Sequence, residues 1–244
     1  MQSKHMVCWR YRMVDILSTY HPWIFHVADR LRLVKKGRVD GSLDVVVAAF
    51  PRSASNFAIY CLKQTKENPV QRSLHTHTAA HVIAAVEQKV PCLVIVRDPK
   101  DAVLSLIIRE PALTAKLALK GYVAFHTQIE PHRSGFVVAT FDEVTTDFSI
   151  VTRRLADRYE GKFGQFEHTE ENVQRILDTI HARSYKVHGE QAELVSCRPS
   201  AKRQGRKEDL APAFDAPARQ ALRDEAYRQF DKFRTFAIGA FPED

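Results

Sequence analysis

The chain has 244 residues, 45% of them hydrophobic and 27% charged, a balance that supports one domain with a sizeable core and excludes a disordered or fibrous polymer. Its formal net charge of +7 favours an anionic ligand, substrate or surface, without choosing among nucleotide, nucleic acid, sulfated glycan and lipid headgroup. Cys8, Cys61, Cys92 and Cys197 lack C-x-x-C spacing and two of them fall in core-like segments, which argues against a disulfide framework and for a reducing, cytoplasmic setting.

No stretch approaches the ~18–20 uncharged apolar residues of a membrane span, and the N-terminus lacks a signal-peptide pattern. Residues 5–36 mix Trp9, Tyr11, Trp23 and Phe25 with Arg10, Arg12, Arg30 and Lys35. They predict an amphipathic helical pair broken at Pro22, which packs on the domain, covers a nucleotide or a second subunit, or makes peripheral contact with a membrane. The remainder reads as one domain: a βα core over residues 43–160, then a helical part over 165–244.

After a polar turn at Gly37 to Ser42, the apolar run Leu43 to Phe50 predicts a strand, followed by the turn Pro51-Arg52-Ser53-Ala54-Ser55 and a helix from Asn56 to Lys66. A helix is expected from Ala79 to Gln88, a strand from Cys92 to Val96, and a helix from Pro99 to Arg109 with Asp98 as N-cap and Pro99 at the first helical position. Gly135 to Phe141 reads as a third strand and Phe148 to Tyr159 as a helix stopped at Gly161. Helices from Thr169 to Ser184 and from Asp215 to Phe236 flank an irregular, basic loop over residues 198–207. Near-continuous apolar strands alternating with helices indicate an α/β fold: a central parallel sheet with helices on both faces and ligands at the carboxyl ends of its strands.

Two of those strands stop at an arginine beside a proline and run into a helix start. Exposed backbone N–H groups, hydroxyls, an arginine and a helix N-terminus together suit an anion, and two such turns suit a ligand with two phosphate-like groups. The P-loop string G-x-x-x-x-G-K-[ST] is absent.

Pro51-Arg52-Ser53-Ala54-Ser55-Asn56-Phe57 resembles the 5′-phosphosulfate loop of sulfotransferases that use 3′-phosphoadenosine-5′-phosphosulfate (PAPS), and Arg97-Asp98-Pro99-Lys100-Asp101 with Ser105 resembles their 3′-phosphate motif. The resemblance implies a P-loop-NTPase-like sulfotransferase fold. It implies PAPS, with 3′-phosphoadenosine-5′-phosphate (PAP) as product, bound by Arg52, Ser53, Ala54, Ser55, Asn56, Phe57, Arg97 and Ser105. Ala54 and Asn56 replace a usual glycine and threonine, and Phe57 stands where many members put a tryptophan against the adenine.

Residues 202–207 loosely resemble the loop that closes over the 3′-phosphate, with Arg203, Gly205, Arg206 and Lys207 as candidates. Thr140-Phe141-Asp142-Glu143 resembles a string after a strand in the family, placing Phe141 at the adenine and leaving the two acids structural. Thr76-His77 resembles the string that carries the family's base, while the distance to Arg97 suits His75 as well. An imidazole is poised to take an acceptor's proton near neutral pH. The same histidines with His81 have the spacing of metal ligands, but no carboxylate or cysteine nearby completes a set, and no metal is expected.

The expected activity is transfer of a sulfuryl group from PAPS to a hydroxyl or amine of a small-molecule, lipid or glycan acceptor. The acceptor pocket is expected from residues 5–39, Glu110 to Arg133 and Gln165 to Cys197. A homodimer is compatible with this reading, and nucleic acid is not an expected partner. A small-molecule kinase and a non-catalytic polyanion or nucleic-acid binder are the competing classes.

Overall fold

The computed structural model describes residues 38–189 and 201–238. The helical pair expected over 5–36, Cys8, Cys197 and residues 198–200 lie outside the described residues.

Strands β1 (Val45–Ala49), β2 (Ser73–Thr76), β3 (Cys92–Val96) and β4 (Val137–Thr140) form one sheet in the order β2-β1-β3-β4, every neighbouring pair parallel. Helices α1 (Ser55–Lys63) and α2 (Ala79–Glu87) make the crossovers from β1 to β2 and from β2 to β3, and α3 (Pro99–Arg109) and α4 (Ala115–Ile129) lie between β3 and β4. Helices α5 (Phe141–Thr146), α6 (Phe148–Arg158) and α7 (Glu170–His188) follow β4, and α8 (Ala201–Asp215) and α9 (Gln220–Ile238) complete the described chain.

Alternation along the strands sends side chains to two apolar layers. Val46, Ala48, Val94 and Val138 pack on α2, α3, α4 and α9, whereas Val45, Val47, Leu93, Ile95 and Ala139 pack on α1, α6 and α7. Both faces are therefore covered, as an apolar parallel sheet requires. From β1 the chain crosses to β2 on one side, and β3 then takes the other side. The carboxyl ends of β1 and β3 thus flank a topological switch point, the place where open α/β sheets leave a crevice for ligands.

The parallel sheet with helices on both faces agrees with the sequence, and so do β3, α3 and the stop at Gly161, whose φ is +74°. Asp98 caps α3 by accepting a hydrogen bond from the Asp101 N–H at 3.0 Å.

Three features differ from expectation. Strand β2 was not anticipated: Ser-Leu-His-Thr is short and half-exposed, as an edge strand can be, and carries no buried apolar run. The segment Glu110 to Arg133, expected to line an acceptor pocket, contains α4, whose Leu119, Tyr122, Phe125 and Ile129 are fully buried in the core. The expected basic loop over 198–207 is, from Ala201, the start of helix α8. Arg203, Lys207, Leu210, Ala211 and Phe214 recur at helical spacing; the last three pack on the core, so the two basic residues head one continuous stripe.

Candidate anion site at the switch point

The turn after β1 has an unusual backbone. Arg52 and Ala54 lie in the left-handed region, at φ 76° and 62°, where a Cβ costs about 1–2 kcal/mol. Ala54 directly precedes α1, and its carbonyl accepts from the Ala58 N–H at 3.0 Å. Glycine at position 54 removes the Cβ strain and gives back part of the gain through the entropy of the unfolded chain. Ala54→Gly is therefore expected to raise stability by roughly 0.5–1 kcal/mol, or the thermal midpoint by about 1–4 °C; a lower midpoint in thermal unfolding would contradict the strain.

The two arginine-bearing turns meet. Arg52 Nε donates to Ser105 Oγ at 3.1 Å, across 53 residues of sequence. Arg97 Nη1 donates to the Arg52 carbonyl at 2.6 Å, and Arg203 Nη2 donates to the same Ser105 hydroxyl at 2.7 Å. Lys207, one turn beyond Arg203, pairs with Asp101 Oδ1 at 2.6 Å, and Asp101 also lies 3.6 Å from Arg97. Residues from β1, β3, α3 and α8 so build one cationic cradle around a buried serine. Asp101, half-exposed, pairs with two of the cations. Burial opposes its ionisation, but Lys207 and Arg97 keep its carboxyl below the usual range.

Arg97 is held on every side. Its guanidinium stacks on the Phe141 ring at 3.9 Å from the centroid, and the Tyr122 hydroxyl donates to its carbonyl at 2.8 Å. Burial lowers its proton affinity, opposed by Asp101, Asp98 and Asp142. Its Nε, like the Ser53 hydroxyl in the first turn, is buried without a hydrogen-bond partner. Two buried donors in one cradle without acceptors are what an anionic ligand would satisfy.

Other expected residues are placed differently. Phe57 is 6% exposed and belongs to the core layer, its ring 6.3 Å from that of His168. Asn56, Gly205 and Arg206 are exposed, and Ser55 is buried. Glu143 makes a capping box with Thr140 and an ion pair with Arg154 at 2.6 Å.

Both candidate bases lie beside the turn, His75 in β2 and His77 just after it, with ring centroids 4.6 Å apart. His75 Nε2 is hydrogen-bonded to Ser55 Oγ at 2.7 Å. His77 Nδ1 donates to the Ala49 carbonyl at 2.8 Å, which leaves Nε2 as the lone-pair nitrogen of the neutral ring. Burial is the main cause that lowers the proton affinity of both rings, His75 to about 3. His81 is a structural histidine: its Nδ1 is engaged by the hydroxyls of Thr76 and Thr78. Among the described residues no group of three or more His, Cys, Asp or Glu side chains could hold a metal ion.

Sequence reasoning missed Tyr122, which offered only the helical spacing of Leu119, Tyr122 and His126 as a signal.

No protein-family model matches the chain, and no curated protein matches it. Among solved structures it is similar to the mouse sulfotransferase SULT7A1 complexed with PAP, with a TM-score of 0.43 and 11% sequence identity over 76% of this chain and 90% of that one.

Proposed function

We propose that the protein is a sulfotransferase that moves a sulfuryl group from PAPS to an acceptor hydroxyl or amine. The observation that carries this reading is the convergence of Arg52 and Arg203 on Ser105, with Arg97 donating to the Arg52 carbonyl, which joins the turns after two neighbouring parallel strands into one cradle. The cradle suits a nucleotide with separated anionic ends. Arg97, Ser105, Arg203 and Lys207 would take the 3′-phosphate, and the loop Arg52 to Ser55 the 5′-phosphosulfate. The partnerless donors on Ser53 and Arg97 fit that ligand.

When bound, the donor supplies an electrophilic sulfur joined to a good phosphate leaving group. His77 Nε2 takes the acceptor's proton as the acceptor's oxygen or nitrogen forms its bond to sulfur. The electron pair of the broken sulfur–oxygen bond stays on the 5′-phosphate, where Arg52 and the loop amides offset the charge. His77 suits the role better than His75, because its tautomer is set by the Ala49 carbonyl while the His75 Nε2 is engaged by Ser55. The acceptor is a small molecule, a lipid or a glycan. No helix among the described residues is long and apolar enough to cross a membrane.

Calorimetric titration with PAP tests the donor site. One molecule per chain is expected, with affinity lowered about 10–100-fold by Arg203→Ala, the worth of a charged hydrogen bond. Salt-sensitive binding to any polyanion, without preference for the nucleotide, would identify a polyanion binder instead.

A further inference from the structure

The Ser55 hydroxyl has a partner on the neighbouring strand. Strand β2 runs parallel to β1 with His75 opposite Val47, so the two side chains leave the sheet on the same face, the one covered by α1. Ser55 is buried and is the first residue of α1. His75 meets it there, with Nε2 at 2.7 Å from Ser55 Oγ across 20 residues of sequence.

That contact fits two arrangements that differ in the place of one proton. A hydroxyl donates once and accepts twice, whereas a neutral imidazole donates from one nitrogen and accepts at the other. With Nε2 bare, Ser55 donates to the ring and has only lone pairs left for a ligand. With the proton on Nε2, the ring donates to Ser55 Oγ and the serine's own proton is left for another acceptor. Burial pushes the proton affinity of His75 down to about 3, so the ring is neutral near pH 7 and holds one arrangement or the other.

The surroundings favour the second. Ala54, which caps α1, gives the first N–H groups of the helix no side-chain acceptor, and such groups attract an anion. The Ser53 hydroxyl in the same turn is buried without a partner. Lone pairs on Ser55 would oppose an anion that these donors attract, whereas a free hydroxyl proton adds to them.

We propose that His75 is a positioning residue: as the Nε2–H tautomer it donates to Ser55 Oγ and so aims the serine's proton at the 5′-phosphate end of the nucleotide. This rests on the sulfotransferase reading, which puts that end against the loop from Arg52 to Ser55. His75 and His77, edge-on with ring centroids 4.6 Å apart, are then held in opposite tautomers. His77 donates from Nδ1 to the Ala49 carbonyl and keeps Nε2 bare for the acceptor's proton. His75 keeps its proton on Nε2 and serves PAPS instead.

Proton–nitrogen correlation NMR of the full chain, labelled at histidine, tells a protonated ring nitrogen from a bare one. His75→Gln identifies the His75 signals by their loss. At pH 7 those signals are expected to show the proton on Nε2, and those of His77 the proton on Nδ1; a bare Nε2 on His75 would overturn the proposal. Calorimetric titration with PAP tests the consequence. Ser55→Ala is expected to lower PAP affinity about tenfold or more, the worth of a hydrogen bond to a charged group. His75→Leu should lower it comparably and add nothing to Ser55→Ala, because both act through one hydroxyl. His75→Gln should retain most of the affinity, since its amide N–H can donate to Ser55 as Nε2–H does. Additive losses, or a His75→Gln chain as weak as Ser55→Ala, would overturn the proposal as well. A parent chain that binds no PAP sinks the sulfotransferase reading and this inference with it, whereas PAP binding with a bare His75 Nε2 sinks the inference alone.

Discussion

Alanine in place of His77 is expected to lower the rate of sulfuryl transfer by about a hundred- to ten-thousand-fold, the range for loss of a positioned general base. PAP affinity should hardly change, because His77 touches the Ala49 carbonyl and not the arginine cradle. His75→Ala should cost less. That ring supports Ser55 and packs edge-on against His77, so its loss would disturb the base without removing it. Single-turnover rates for both variants at saturating donor would separate chemistry from binding. A His77→Ala enzyme with an undiminished rate, or one weaker only in PAP affinity, would remove His77 from the reaction.

The second large effect is on stability in acid. His126 is fully buried among Tyr122, Phe125 and Phe233, its Nδ1 donates to the Tyr122 carbonyl, and its Nε2 has no partner. Burial drives its proton affinity down from 6.5 to about 4. The unfolded chain binds a proton there near pH 6.5, whereas the folded chain does not until about pH 4. Between those values the unfolded state holds more protons, so stability is full above pH 6.5 and falls as the pH drops toward 4. For this one group the loss reaches ~3 kcal/mol, a large part of the 5–15 kcal/mol that holds a typical domain together.

His75 and His77 are shifted the same way and steepen the decline. Urea midpoints at pH 7, 5.5 and 4.5 should fall progressively, and His126→Phe, which keeps the aromatic volume, should fall less. A midpoint independent of pH over this range would contradict the buried, neutral imidazoles.

What the chain disclosed before its structure was known follows physical lines. Strands β1 and β3 were readable because both are buried on two faces, which makes them unbroken apolar runs, and the N-cap and proline of α3 are local chemistry. Strand β2 lies at the sheet edge, so half its residues needed no apolar side chain. Helix α8 was read as an irregular basic loop because Gly205 and the polar run around it show no apolar face of their own; contacts with Ser105 and Asp101, about a hundred residues away, show that Arg203 and Lys207 head the inward stripe of a helix. Phe57 shows the same limit in reverse. An aromatic residue two places past a phosphate-type turn can stack on a base or fill the core, and here it lies in the layer under α1. The meeting of Arg52 with Ser105 depends on the order of strands in the sheet, which no local pattern encodes.

The central claim is that one bisphosphorylated nucleotide lies across the carboxyl ends of β1 and β3. A crystal structure of the protein grown with PAP measures this directly. The account predicts the 3′-phosphate within hydrogen-bonding distance of Arg97, Ser105 and Arg203, and the 5′-phosphate against the backbone N–H groups from Arg52 to Ser55. Nucleotide bound elsewhere on the surface, with the Arg52–Ser105–Arg203 contacts unchanged, would contradict it.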